Sequence, residues 1–201
     1  MDVSIIVATF GSEEWAELAR LRAIPSAYDA GPAELVVTHG ATLADARNAG
    51  ADLTSGEWLL FLDADDELEP GYLDAMSSAT GDLRAPAVRY VSAGDPDPPP
   101  ISFCDRDMAR MNPCAIGTLL TRYTFETAGR FWPEPLWEDW SLFRRAWLLG
   151  ATIEHVPKAI YRANLSPAGR NSSRLSQSDR NRMHRNILRS HTEWLRKQDP
   201  K

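Results

Sequence analysis

Glu57-Trp58-Leu59-Leu60-Phe61-Leu62-Asp63-Ala64-Asp65-Asp66 is the stretch from which the rest of the chain can be read. Its apolar run passes straight into three carboxylates packed within four positions. A continuous apolar run of this kind suits a central strand covered on both faces, as in a parallel or mixed α/β sheet. Open α/β sheets bind their ligands outside the carboxyl edge of the strands, which is where Asp63, Asp65 and Asp66 would fall. Three anions in one turn repel one another, and they concentrate oxygen ligands suited to a hard divalent cation. The plainer alternative is a solvated acidic turn ahead of a helix starting at Pro70.

Upstream, Val3 to Thr9 is a β-branched run that reads as the first strand. Ser12 is placed to cap a helix with Glu13 and Glu14 in its first turn, running to about Ala23 and stopping before Pro25. Glu34 to His39 reads as a second strand, so strand, helix and strand imply a crossover and parallel pairing. Thr42-Leu43-Ala44-Asp45 has a capping-box spacing, with Asp in place of the usual Glu. Leu43, Ala46, Ala49 and Leu53 recur at helical spacing and are expected to face the sheet, with Arg47 and Asn48 projecting elsewhere.

Downstream, Pro70 to Ser78 reads as a short helix and Ala87 to Val91 as a strand. Gly94 to Pro100 carries four prolines and reads as a stiff exposed connector. Arg122 to Gly129 reads as a short helix. Glu138 to Leu149 is a firmer one, with Leu142, Phe143, Ala146 and Leu149 on one side and Gly150 as its stop. Thr152 to Val156 and Ala159 to Arg162 read as two short strands around Pro157. A basic helix from about Gln177 to Lys197 closes the chain.

Four segments, in order, resemble family 2 glycosyltransferases with the GT-A fold. They are VSIIVATF, then LADARNAGADLTSGEWLLFLDADD, then CAIGTLLTRYTFETAGRF, then LWEDWSLFRRAWLLG with VPKAIYRAN behind it. Together they span most of residues 3 to 164. The resemblance implies a Rossmann-like nucleotide-diphospho-sugar transferase fold with a central, mostly parallel mixed sheet flanked by helices. It implies one domain over residues 1–201, with a nucleotide-sugar half at about 1–92 and an acceptor half at about 101–165. The basic helix at about 175–198 follows.

The implied chemistry is transfer of one sugar from a UDP-, GDP- or dTDP-sugar to an acceptor hydroxyl, with inversion. Expulsion of the diphosphate builds negative charge on the leaving oxygen, which a divalent cation, Mn²⁺ or Mg²⁺, stabilises. By resemblance Asp65 is the first metal ligand, with Asp63 and Asp66 reaching the ribose or metal-bound water. Thr9 and Phe10 would meet the nucleoside. Arg47 would meet the donor's phosphate or base, against the alternative of a salt bridge with Asp45 or Glu57. The acceptor hydroxyl needs a general base. Asp139 fills that position and Glu138 stands beside it, against the alternative that the pair only caps a helix. Trp137 and Trp140 offer aromatic faces to an acceptor sugar, although the core is an equal claim on either.

The sequence departs from the family pattern in two places. Thr38-His39-Gly40 stands where an acid often holds the nucleobase, so the donor base is left open. Asn164 stands near a position where a histidine often assists the metal. Two rival readings are a metal-dependent nucleotidyltransferase and a non-catalytic nucleotide-sugar-binding module. The first usually needs a Gly-rich and basic phosphate loop, which ATFGSEEW lacks.

Composition is that of a soluble globular chain: 43% hydrophobic, 25% charged, net charge −6 over 201 residues. The molecule as a whole offers no basic footprint for nucleic acid. Arg174, Arg180, Arg182, Arg185, Arg189, Arg196 and Lys197 make a basic tail suited to peripheral contact with an anionic membrane, with a solvated helix face as the plainer reading. No apolar run approaches the roughly 20 residues of a bilayer span, and the N-terminus does not read as a signal peptide. The expectation is therefore a cytoplasmic enzyme with Cys104 and Cys114 reduced. A polysaccharide synthase working processively is disfavoured. The acceptor is expected to be a small glycan, a lipid-linked sugar or a protein surface.

Overall fold

The computed structural model describes residues 1–165 and 175–198. Seven strands form one sheet, in the order β2-β1-β3-β6-β5-β7-β4. They are β1 (Val3–Phe10), β2 (Glu34–Gly40), β3 (Trp58–Asp63), β4 (Glu67–Leu68), β5 (Leu83–Val91), β6 (Leu119–Thr121) and β7 (Ile153–Asn164). The β1/β2, β1/β3 and β5/β7 ladders are parallel and long, whereas the three antiparallel ladders are short. The strand read first, β3, lies inside the sheet between β1 and β6. Leu59, Leu60 and Phe61 are fully buried there, as are Ile5, Ile6 and Val7 on β1. Helices flanking the sheet explain why the middle of both strands is apolar on successive positions, with Ser4 and Thr9 the buried polar exceptions on β1.

Among the described residues, seven helices accompany the sheet: α1 (Glu14–Leu21), α2 (Ala23–Asp29), α3 (Leu43–Asp52), α4 (Tyr72–Ser77), α5 (Arg122–Thr127), α6 (Glu138–Leu148) and α7 (Gln177–Gln198). Ser12 does not cap α1, whose N-terminus has no side-chain cap. α1 stops at Leu21, before Pro25 as expected, but a second helix follows at once and Pro25 sits in its first turn, where its missing N–H costs nothing. The capping box at Thr42 is present in full, Thr42 accepting from the Asp45 N–H and Asp45 accepting from the Thr42 N–H.

The buried face of α3 differs from the expected one. Ala44, Ala46, Arg47, Gly50 and Ala51 are buried, while Ala49 and Leu53 are exposed. A methyl group at Gly50 would stand 2.3 Å from Ile6 Cγ2, so the helix lies close against β1 through its smallest residue. The segments flanking Pro157 form one strand, β7, whose register with β5 shifts between Pro86 and Ala87. Pro157 falls in that irregularity, which spares a ladder hydrogen bond. The connector at Gly94–Pro100 is exposed as expected, although Asp97 pairs with Arg162 and Pro98 O accepts from Arg89. Arg174 lies outside the described residues.

Candidate active site

Asp63 ends β3, and the chain turns sharply as the Asp66 N–H donates to Asp63 O at 3.1 Å. The turn is held from β7. Asn164 donates its backbone N–H to Asp66 Oδ1 at 2.8 Å, and its Nδ2 donates to Asp65 O and Glu67 Oε2 at 2.8 and 3.1 Å. Tyr161 donates its hydroxyl to Asp66 Oδ2 at 2.8 Å. Both oxygens of Asp66 are thus engaged within the protein. Burial, then the charges of Asp63 and Asp65, holds its carboxyl well above the usual range. This is a clamp rather than a hand held out to a ligand, which departs from the role expected of Asp66. The Asp65 carboxyl is pushed up to about 6, by burial first and by Asp63 second. No cationic group pairs with it within salt-bridge distance among the described residues.

Arg47 reaches this turn from α3. It is 2% exposed and donates from Nη2 to Asp63 Oδ1 at 2.6 Å and from Nη1 to Glu138 Oε1 at 3.1 Å. Its guanidinium lies 4.9 Å from the Phe131 ring centroid, and its Nε has no hydrogen-bond partner. The next residue binds the same partner segment: Asn48 Nδ2 donates to Phe131 O at 3.0 Å, and the Phe131 N–H donates to Asn48 Oδ1 at 3.1 Å. Arg47 and Asn48 therefore tie the two halves together. Neither Asp45 nor Glu57 is the partner of Arg47; its partners are the buried Glu138 and the half-buried Asp63, because a guanidinium taken out of water needs anions within reach.

Glu138 and Asp139 open α6. Trp137 precedes them with φ 61° and ψ 30°, left-handed for a residue with a large side chain. Such backbone strain tends to persist where a site requires it. Asp139 Oδ2 accepts from Asn112 Nδ2 at 2.8 Å. Burial and the neighbouring Glu138 push the Asp139 carboxyl up to about 7, outweighing the Trp140 N–H and Arg47, which pull it down. The competition between helix start and adjacent acid is thus decided by desolvation.

These groups open into one cleft of about 430 Å³. Thr9, Phe10, Arg47, Asp63, Asp65, Asp66, Trp137, Glu138 and Asp139 all line it. Trp140 does not: it is 2% exposed, donates from Nε1 to Met108 O and stacks on His184. It is a core residue, and the acceptor contact expected of it is withdrawn. His39 stands at the edge, its Nδ1 3.1 Å from Thr9 Oγ1. Asn112, Tyr161, Tyr90 and Arg106 also line the cleft and carry no short-range signal in the sequence. Among the described residues no three His, Cys, Asp or Glu side chains gather in a metal-holding group. A cation here would rest on one or two carboxylates, Asp65 with Asp63, and complete its shell elsewhere, as Mg²⁺ commonly does.

Residues 4–94 match the family model described as glycosyl transferase family 2. No curated protein matches the chain. Among solved structures, S. aureus TarS 1-349 in complex with UDP-GlcNAc superposes with a TM-score of 0.62 at 20% identity, covering 93% of this chain and 65% of that one. TarS 1-349 in complex with UDP gives 0.54 at 18% identity, covering 98% and 73%. A longer S. aureus TarS chain gives 0.56 at 17% identity, with 95% of this chain covered and only 43% of that one. The order and pairing of the strands and the superposition on TarS give the chain the GT-A fold, and its residues 4–94 resemble glycosyl transferase family 2.

Proposed function

We propose that the chain transfers one sugar from a nucleotide-diphosphate sugar to an acceptor hydroxyl, with inversion, using a divalent cation at the acidic turn. The observation that carries this reading is the shared cleft, into which Asp63 and Asp65 open from one side and Asp139 from the other. The donor set suits a hard cation: the Asp65 carboxyl is raised by burial and by its anionic neighbour, a deficit of positive charge. Asp65, with Asp63 beside it, would hold Mn²⁺ or Mg²⁺. When bound, the cation supplies neutralisation of the charge that gathers on the departing diphosphate. TarS was crystallised with UDP-GlcNAc and with UDP, so a UDP-sugar is the first donor to try here, ahead of GDP- and dTDP-sugars.

The chain's own residues do the rest. Thr9 and Phe10, at the end of β1, flank the nucleoside. Trp137 offers its ring to the acceptor sugar. The acceptor oxygen forms its bond to the anomeric carbon as the carbon–oxygen bond to the diphosphate breaks, and that electron pair leaves with the diphosphate. The hydroxyl proton passes to Asp139. A base with a pKa of about 7 is matched to this task near neutral pH. The acceptor would be a glycan, a lipid-linked sugar or a protein surface.

A thermal-shift panel of UDP, GDP, dTDP and their sugars, in Mn²⁺ and in chelator, tests the reading. Donor binding raises the melting temperature by mass action. The expected pattern is a larger shift in Mn²⁺, lost in Asp65→Ala and kept in Asp139→Asn, which no longer turns over UDP-GlcNAc. If no nucleotide does better in Mn²⁺ than in chelator, the cation at the acidic turn is refuted.

A further inference from the structure

Asp139 needs a fixed orientation, and α6 alone does not provide it. The side chain that meets it comes from the segment between β5 and β6. There Asn112 Oδ1 accepts from the Cys114 N–H at 3.0 Å, which leaves the Nδ2 donor facing Asp139 Oδ2 at 2.8 Å. The acceptor end is committed to a backbone N–H, so the amide has one sensible orientation. Asn112 is itself held. Arg106 Nη1 donates to Asn112 O at 3.0 Å, with its guanidinium 3.6 Å from the Phe103 ring centroid, and Phe103 is buried. Cys114, two residues on, is buried as well. A surface asparagine with no task has no need of anchors on both sides.

We propose that Asn112 is the positioning residue for Asp139, fixing the plane of the carboxylate in the cleft and favouring its ionised form. This rests on the glycosyl-transfer reading for its purpose, but the contact can be tested without it. The charged and titratable groups that bear on Asp139 are Glu138 on its own helix, Arg47 from α3, Asp63 from β3, Tyr90 from β5 and Cys114 beside Asn112. None of these changes in an Asn112 variant.

The experiment is a carbon-detected NMR titration of the Asp139 carboxyl in the full chain, assigned by its loss in Asp139→Asn. Asn112→Ala removes a donor to the charged form, so the pKa of Asp139 should rise by about one unit. Asn112→Asp keeps the acceptor for the Cys114 N–H and adds a negative charge, so the rise should be larger and the fold retained. Turnover of UDP-GlcNAc in the variants should fall about tenfold at neutral pH, with its acid limb moved up by the same shift. The UDP thermal shift should stay as in the wild type. An unmoved Asp139 titration in Asn112→Asp that melts like the wild type overturns the proposal. Absence of any nucleotide-dependent shift in the wild type would instead count against the glycosyl-transfer reading and leave the carboxyl titration to decide on Asn112.

Discussion

Arg47 is the residue on which both halves of the cleft depend. It is buried, it bridges Asp63 to Glu138, and nothing in the sequence around it says so. Removing it leaves two carboxylates facing each other without a cation, and breaking a buried pair in this way costs about 3–5 kcal/mol. Arg47→Met should lose that much in denaturant unfolding, and adding Asp63→Asn with Glu138→Gln should restore part of it. A full loss in the triple variant would mean that packing on Phe131, rather than charge, is what Arg47 supplies. Asp139 gives a pH signature. Its carboxyl is raised to about 7 in the folded chain against about 4 unfolded, so the native state holds more protons between those values. Stability of the ligand-free protein should therefore fall as pH rises from about 4 to about 7. Asp65, Asp66 and Glu134 lean the same way, so Asp139→Asn should lessen the slope without abolishing it. Thermal melts across that range check this, and an unaltered slope in Asp139→Asn would place the titration elsewhere. The acids stood out in the sequence as a carboxylate cluster closing an apolar strand, and they line the cleft. Asn112, Tyr161 and Asn164 were not legible as their partners, since each meets an acid at least 27 residues away.

The elements that position the site are α3, β3, β7 and α6. Existence and type were readable for each, because apolar runs and helical periodicity are local properties. Which face of α3 is buried was not. Periodicity favoured the larger side chains Leu43 and Leu53, but the sheet accepts the face with Gly50, where the backbone can come close to Ile6. Gly50→Ala should therefore cost about 1–3 kcal/mol through overpacking, although alanine is the better helix former. A neutral or stabilising result in chemical denaturation would show that α3 can shift outward freely. β4 and β6 escaped the reading for another reason. They are two and three residues long, too short to show alternation, and exist because β7 and β3 offer them ladders. β4 has a consequence for function: by pairing Glu67 with Arg162 and Leu68 with Tyr161, it brings the acidic turn against the Tyr161 and Asn164 clamp.

Across the whole molecule, charge is divided unevenly. The chain is acidic at −6, and five of its acids line the cleft, yet α7 presents Arg182, Arg185, Arg189, Arg196 and Lys197 on exposed positions. Its other side is occupied. Ile187 and His191 are buried, the His191 ring donates to or accepts from Ser141 Oγ at 2.9 Å, and Trp194 lies edge-on to Trp132. Among the described residues no helix is long and apolar enough to cross a membrane. With its apolar side already packed on α6, α7 has only charge to offer a bilayer. Attraction of about 1 kcal/mol per basic residue close to an anionic leaflet then adds over four or five side chains, and salt screens it within about 10 Å at 0.1 M. We expect the protein to co-sediment with phosphatidylglycerol-rich vesicles at low salt and to be released as salt is raised. Arg185→Glu with Arg189→Glu should abolish sedimentation while leaving the melting temperature and UDP shift intact, because both side chains are exposed and neither has a partner among the described residues. Phosphatidylcholine vesicles should not retain it at any salt. Equal retention by both lipids would require apolar insertion, which the packing of Ile187 and Trp194 forbids, and no retention by either would make α7 a solvated face whose arginines only keep the helix in water.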